Sequence, residues 1–158
     1  MYTSTSRVGA LLEGLQAVLT NLPIEELAVR RLATITPPPG APDAADLCAT
    51  TAAGSGVTSA VWAGGDRALT QQWAEAFRRD GWWALHGGAH HDPSATLRVV
   101  AVFGAAGKKA PALGGVWSWT DRSVHDDPAV VEELSRWGIA VRGPGELPFV
   151  EHPEPTTP

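Results

Sequence analysis

The sequence predicts an α+β domain over residues 1–150, with three helices packed on a mixed or mainly antiparallel sheet of about four to five strands, and a C-terminal tail at 151–158. Three features carry that prediction. Apolar residues recur at helical spacing in three places, each bracketed by capping or breaking residues. Runs rich in β-branched and aromatic residues alternate with glycine and proline turns. Two of these runs, 96–104 and 116–120, lie too close in sequence for a helical crossover, which favours antiparallel pairing between them.

The first helix is expected over 6–21, because Val8, Leu11, Leu12, Leu15, Val18, Leu19 and Leu22 repeat at spacings of three and four behind Ser6 as N-cap, with Pro23 just past the end. In the following EELAVRRLATI, Leu27, Val29 and Leu32 suit either a strand or a second helical turn. Residues 37–56 carry three consecutive prolines and a Gly-Ser-Gly end, so they predict a long loop that is either a mobile linker or an arm ordered against another surface. VTSAVWAGG at 57–65 reads as a short buried strand. Asp66 caps the second helix, with Leu69, Trp73, Ala76 and Phe77 on one face until Gly81. A strand at 82–86 runs into a polar turn at Asp92-Pro93 and returns as strand 96–104. In 116–120, Trp117 and Trp119 share a face and are expected in the core. Asp127-Pro128 opens the third helix, and Ile139 to Val141 is a final short strand.

Composition narrows the function classes. Twelve Lys plus Arg against 17 Asp plus Glu give a net charge of −5, and the basic residues are scattered as doublets, so phosphate capture of nucleic acid is not expected. No apolar run is long enough to cross a bilayer, and the N-terminal stretch is interrupted by Glu13 and Gln16, unlike a signal-peptide core. One cysteine, Cys48, excludes an internal disulfide and fits a reducing cytoplasm or a virion assembled there. Cys48 has no neighbouring base in sequence and reads as an inert thiol. The amino-acid usage, rich in Ala, Gly, Pro, Arg, Val and Trp, resembles that of an actinobacterial, GC-rich source.

Two local constellations remain. WWALHGGAHHD at 82–92 supplies His86, His90, His91 and Asp92, donors that zinc or another divalent transition metal accepts, with His125 or Asp126 as remote additions. Gly87 and Gly88 oppose the helix that would align His86 with His90, and the glutamate of the zincin motif is missing, so a polar turn between two strands is the favoured reading. Trp82 and Trp83 are consecutive and face opposite sides of a strand, so one of them is a candidate interface anchor. No nucleophile elbow, phosphate loop or dinucleotide fingerprint is present. The glutamates Glu132-Glu133 and the aspartates Asp126-Asp127 suit helix electrostatics better than acid-base catalysis.

The functional expectation is therefore a non-enzymatic structural or assembly subunit, with loop 37–56 and the tails ordering against neighbouring copies in a homo-oligomer or multi-protein particle. A ring-forming virion component of a phage tail or neck region fits that class. The alternatives are a small metal-dependent hydrolase or metal-binding protein using the His86–His91 turn, and a cytosolic inhibitor or immunity-type binding protein.

Overall fold

Val8, Leu11, Leu12 and Leu15 are spaced to share one side of a helix, and all four are buried in the computed structural model, which describes residues 1–15, 21–104 and 117–143. The predicted residues 16–20, 105–116 and the tail 151–158 lie outside the described residues. In chain order the elements are β1 (Tyr2–Ser4), α1 (Arg7–Leu15), β2 (Asn21–Pro23), α2 (Ile24–Ala28), β3 (Arg31–Thr36) and β4 (Ala45–Asp46). A 3-10 turn (Thr50–Ser55) follows, then α3 (Ala60–Ala63), α4 (Arg67–Arg79), β5 (Ala84–Gly88), β6 (Arg98–Val102), β7 (Ser118–Ser123), α5 (Pro128–Arg136) and β8 (Ala140–Arg142). This is an α+β architecture built around a mixed four-stranded sheet.

That sheet runs β1-β6-β5-β4, antiparallel except for the parallel β4–β5 pair. Two further pairs complete the pattern: parallel β2–β8 and antiparallel β3–β7. Two apolar clusters hold these pieces. One joins α1, β2, α2 and α5 through Leu12, Leu22, Leu27, Val130 and Leu134, with Val124 between β7 and α5. The other packs Leu47, Val57, Val61 and Leu85 with the partly buried Trp62, Trp73 and Phe77, so α3 and α4 cover the sheet through β5. Gly88 matters here, because a Cβ at this position would run into the indole of Trp62.

The three expected helices form, and two of the expected caps are made. Gly9 N–H donates to Ser6 Oγ at 3.0 Å, and Leu69 N–H donates to Asp66 Oδ1 at 3.0 Å. Asp127 occupies the cap position of α5 but makes no cap hydrogen bond. Its buried carboxylate lies instead 3.1 Å from the Arg122 guanidinium and 3.6 Å from Arg7, so two charges on other elements outcompete the local N–H groups.

Four expectations are corrected. The run 57–65 contains the helical turn α3 rather than a strand, since a short apolar run suits either and Val61 is buried here from a helix. Strand 96–104 is realised as β6, yet it pairs with β1 and β5 instead of the 116–120 region, which shifts to 118–123 and pairs with β3. Long-range pairings that bury apolar faces override proximity in sequence. Residues 45–56 of the expected loop are held by this chain itself, because β4 adds to the sheet, Leu47 N–H donates to His86 O at 2.8 Å, and Ala45 and Leu47 enter the core beside Val57. Trp119, expected in the core, is 65% exposed: five of the six residues of its strand are exposed, and neither apolar cluster of the described residues includes it.

Candidate functional site

The histidine-rich segment is a β-hairpin. β5 and β6 pair in register from Ala84↔Val102 to Gly88↔Arg98, and the connecting turn is organised by Asp92, only 6% exposed. Its carboxylate accepts from Ser94 N–H at 2.8 Å, Thr96 N–H at 2.6 Å and Leu97 N–H at 2.6 Å, and from the Ser94 hydroxyl. Burial by itself would raise the Asp92 pKa, but the Leu97, Ser94 and Thr96 donors together hold it below the usual carboxylate range. Ala95 takes a left-handed backbone (φ 54°) inside this turn, a conformation the converging donors sustain.

The hairpin separates the four candidate ligands. His86, half-buried on β5, directs Nδ1 toward Asp46 Oδ1 at 3.4 Å. His90 is exposed and stands edge-on to His91, with ring centroids 4.8 Å apart, and the His91 N–H donates to Glu13 Oε1 at 3.2 Å. Asp92 is turned to the backbone of its own loop. Among the described residues no three His, Cys, Asp or Glu side chains converge in a geometry that could hold a metal ion, and His125 and Asp126 are exposed on the turn after β7. The donor set does not fit zinc, because a carboxylate saturated by N–H and O–H groups has no free lone pair to offer.

Cys48 is half-buried beside a cavity of about 280 Å³ lined by Leu47, Trp62, Gly88 and Arg98. Burial pushes its thiol pKa up, with Arg98 offsetting only part of that, so thiolate chemistry is disfavoured.

The two candidate anchors part ways. Trp82 is 37% exposed and its indole N–H donates to Asp80 at 3.2 Å. Trp83 is half-buried and packs on Trp117, ring centroids 5.8 Å apart, and neither buried indole N–H has an acceptor among the described residues. Both rings line a cavity of about 900 Å³ bounded by β1, α1 and β3.

Beyond that cavity lies the β3–β7 ribbon. Six residue pairs from Arg31↔Ser123 to Thr36↔Ser118 build it, and four of the six residues of β3 and five of the six of β7 are exposed. Arg31 forms an ion pair with Asp121, whose hydrogen bond holds the Asp121 carboxyl below its ordinary range. Trp119, opposite Ile35, is the most exposed tryptophan among the described residues. The alternation that puts Trp117 and Trp119 on one apolar face predicts both in the core. The pattern SWTDRS held the contrary signal, since the next residue on the same face is Asp121 and every other position is polar.

The chain matches no protein-family model, no curated protein sequence and no solved structure.

Proposed function

We propose that this protein is a non-enzymatic assembly subunit that associates with copies of itself through the β3–β7 ribbon. One observation carries the reading: a six-pair antiparallel ribbon stands largely in solvent with Trp119, one pair from its Thr36–Ser118 end, 65% exposed. A two-stranded ribbon is marginal without a covering layer, and an open strand edge is a template for a further strand. A large amphipathic ring on such an edge is the side chain most often used to anchor protein interfaces. Pairing through one edge of the ribbon with a different surface of the next copy is a heterologous contact, the type that builds rings, and this suits a virion tail or neck component assembled in a host cytoplasm. Among the described residues no helix is long and apolar enough to cross a membrane.

Light scattering coupled to size-exclusion chromatography of the full chain tests this, together with electron microscopy of the peak. The parent protein is expected to elute as a closed oligomer, and Trp119→Ser as a smaller species with an unchanged circular dichroism spectrum. A parent that is monomeric at all accessible concentrations overturns the proposal. A stable one-to-one complex with an unlike protein, formed by that monomer, would instead support the inhibitor-type reading.

A further inference from the structure

The cavity beside Trp83 and Trp117 has an unusual wall. Residues 1–7 line it without a break, and so do residues 30–35. Side chains alternate between the faces of a strand, so a pocket against a sheet face meets every second residue, whereas a pocket against a strand edge meets all of them. The hydrogen bonds agree. Met1 and Val102 exchange bonds of 2.8 and 2.7 Å and Thr5 N–H donates to Arg98 O, so the odd residues of β1 face β6, and the main-chain groups of Tyr2 and Ser4 point to the other side. In β3, Val124 N–H donates to Arg30 O at 3.1 Å, so the even residues face β7 and the main-chain groups of Arg31, Ala33 and Ile35 point away from it. Among the described residues neither outer edge pairs with a strand.

Two further observations describe the occupant. The described lining contains four arginines, Arg7, Arg30, Arg31 and Arg122, and no aspartate or glutamate. Their ion-pair partners among the described residues, Glu26, Asp121 and a shared Asp127, number one fewer and lie outside that lining. Two buried indole N–H groups, Trp83 and Trp117, lack acceptors among the described residues. Buried donors without partners are uncommon in native folds, and a carbonyl oxygen satisfies them.

We infer that the slot between β1 and β3 receives an extended, acidic peptide segment of a partner protein, which adds as a strand to one or both open edges and accepts hydrogen bonds from Trp83 and Trp117. This is β-strand addition, with affinity from main-chain bonds and selectivity from the arginine-rich wall. The inference goes beyond the assembly reading by adding a second partner of stated chemistry, and it rests on that reading for its biological setting.

The test is selection of a displayed random heptapeptide library on the full chain, followed by fluorescence anisotropy with fluorescein-labelled synthetic copies of the enriched peptides. Enrichment of acidic, proline-poor sequences is expected. Ala33→Pro removes an outward-facing N–H of β3 and leaves the bonds to β7 in place. It should weaken binding at least tenfold, on the order of 1.4 kcal/mol. Should Ala33→Pro fail to fold, Trp117→Phe, which deletes one indole N–H, is expected to weaken the same peptides several-fold. Trp119→Ser, outside the slot, should leave peptide affinity unchanged even where it abolishes self-association, so failure of the one proposal is distinguishable from failure of the other. The inference is overturned by a selection that enriches nothing above a chain-free control, by peptides that bind the slot variants as well as the parent, or by a slot that takes only a small apolar dye such as 1-anilinonaphthalene-8-sulfonate.

Discussion

Two antiparallel strand pairs in this molecule have opposite surroundings. The β5–β6 hairpin is buried in the middle of the four-stranded sheet, flanked by β1 and β4 and covered by α3 and α4 through Leu85, Trp62 and Phe77. The β3–β7 ribbon has an equally regular register but leaves most of its residues in solvent. The hairpin closes through a local turn fixed by one buried carboxylate, whereas the ribbon joins strands more than 80 residues apart, Arg31 pairing with Ser123. Regular pairing therefore says little about role. In the hairpin the aspartate beside the histidines, which resembled a ligand, is spent on the fold. In the ribbon the exposed groups are left over from folding and are the ones open to a partner.

This contrast can be broken at the hairpin first. Asp92→Ala strips the acceptor from three backbone N–H groups and is expected to cost about 3 kcal/mol of stability, read as a lower urea midpoint with an unchanged slope. The same residue has a pH signature. Because its folded-state pKa is depressed, the stabilisation is complete above the unfolded value of about 4 and is lost as pH falls through the lower folded value. Asp92→Asn should accordingly show a flatter loss of stability in acid than the parent, and parallel acid curves would remove Asp92 as the keystone of the turn.

Gly88→Ala is the next largest effect. The added methyl meets the Trp62 indole, and repacking is expected to cost about 2 kcal/mol, visible as a lowered thermal midpoint and a shifted tryptophan emission. At the ribbon, Trp119→Ser should change stability of the isolated chain by no more than about 0.5 kcal/mol while altering oligomeric state. Smallest of all, Asp121→Asn breaks the solvent-exposed pair with Arg31 and is expected to leave the denaturation midpoint nearly unmoved, with any effect disappearing in high salt. A large loss there would show that the ribbon is as tightly integrated as the hairpin, and the distinction between the two regions would collapse.

The hairpin's legibility in sequence has a physical basis. Asp92-Pro93 between two apolar runs is a turn signal acting over a few residues, and the structure places it between β5 and β6. The glycines that argued against a helical metal motif are the ones over which Trp62 lies. Trp83 was a candidate anchor on the strength of alternation alone, but its packing on Trp117 depends on a strand far along the chain. Trp119 was misplaced for the same reason: an aromatic residue in a strand is buried only if another layer arrives to cover it.

By itself the sequence determined the elements whose causes are local: α1, α4 and α5 from apolar spacing and their breakers, the Ser6 and Asp66 caps, and the Asp92 turn. Tertiary structure alone decided which strands meet, whether 57–65 buries Val61 as helix or strand, and that Asp127 serves two arginines instead of its own helix. Local order follows from dihedral preferences and nearby hydrogen bonds, which a short window of residues contains. Strand partnership and exposure follow from which apolar faces can be covered at once, and that depends on the whole chain.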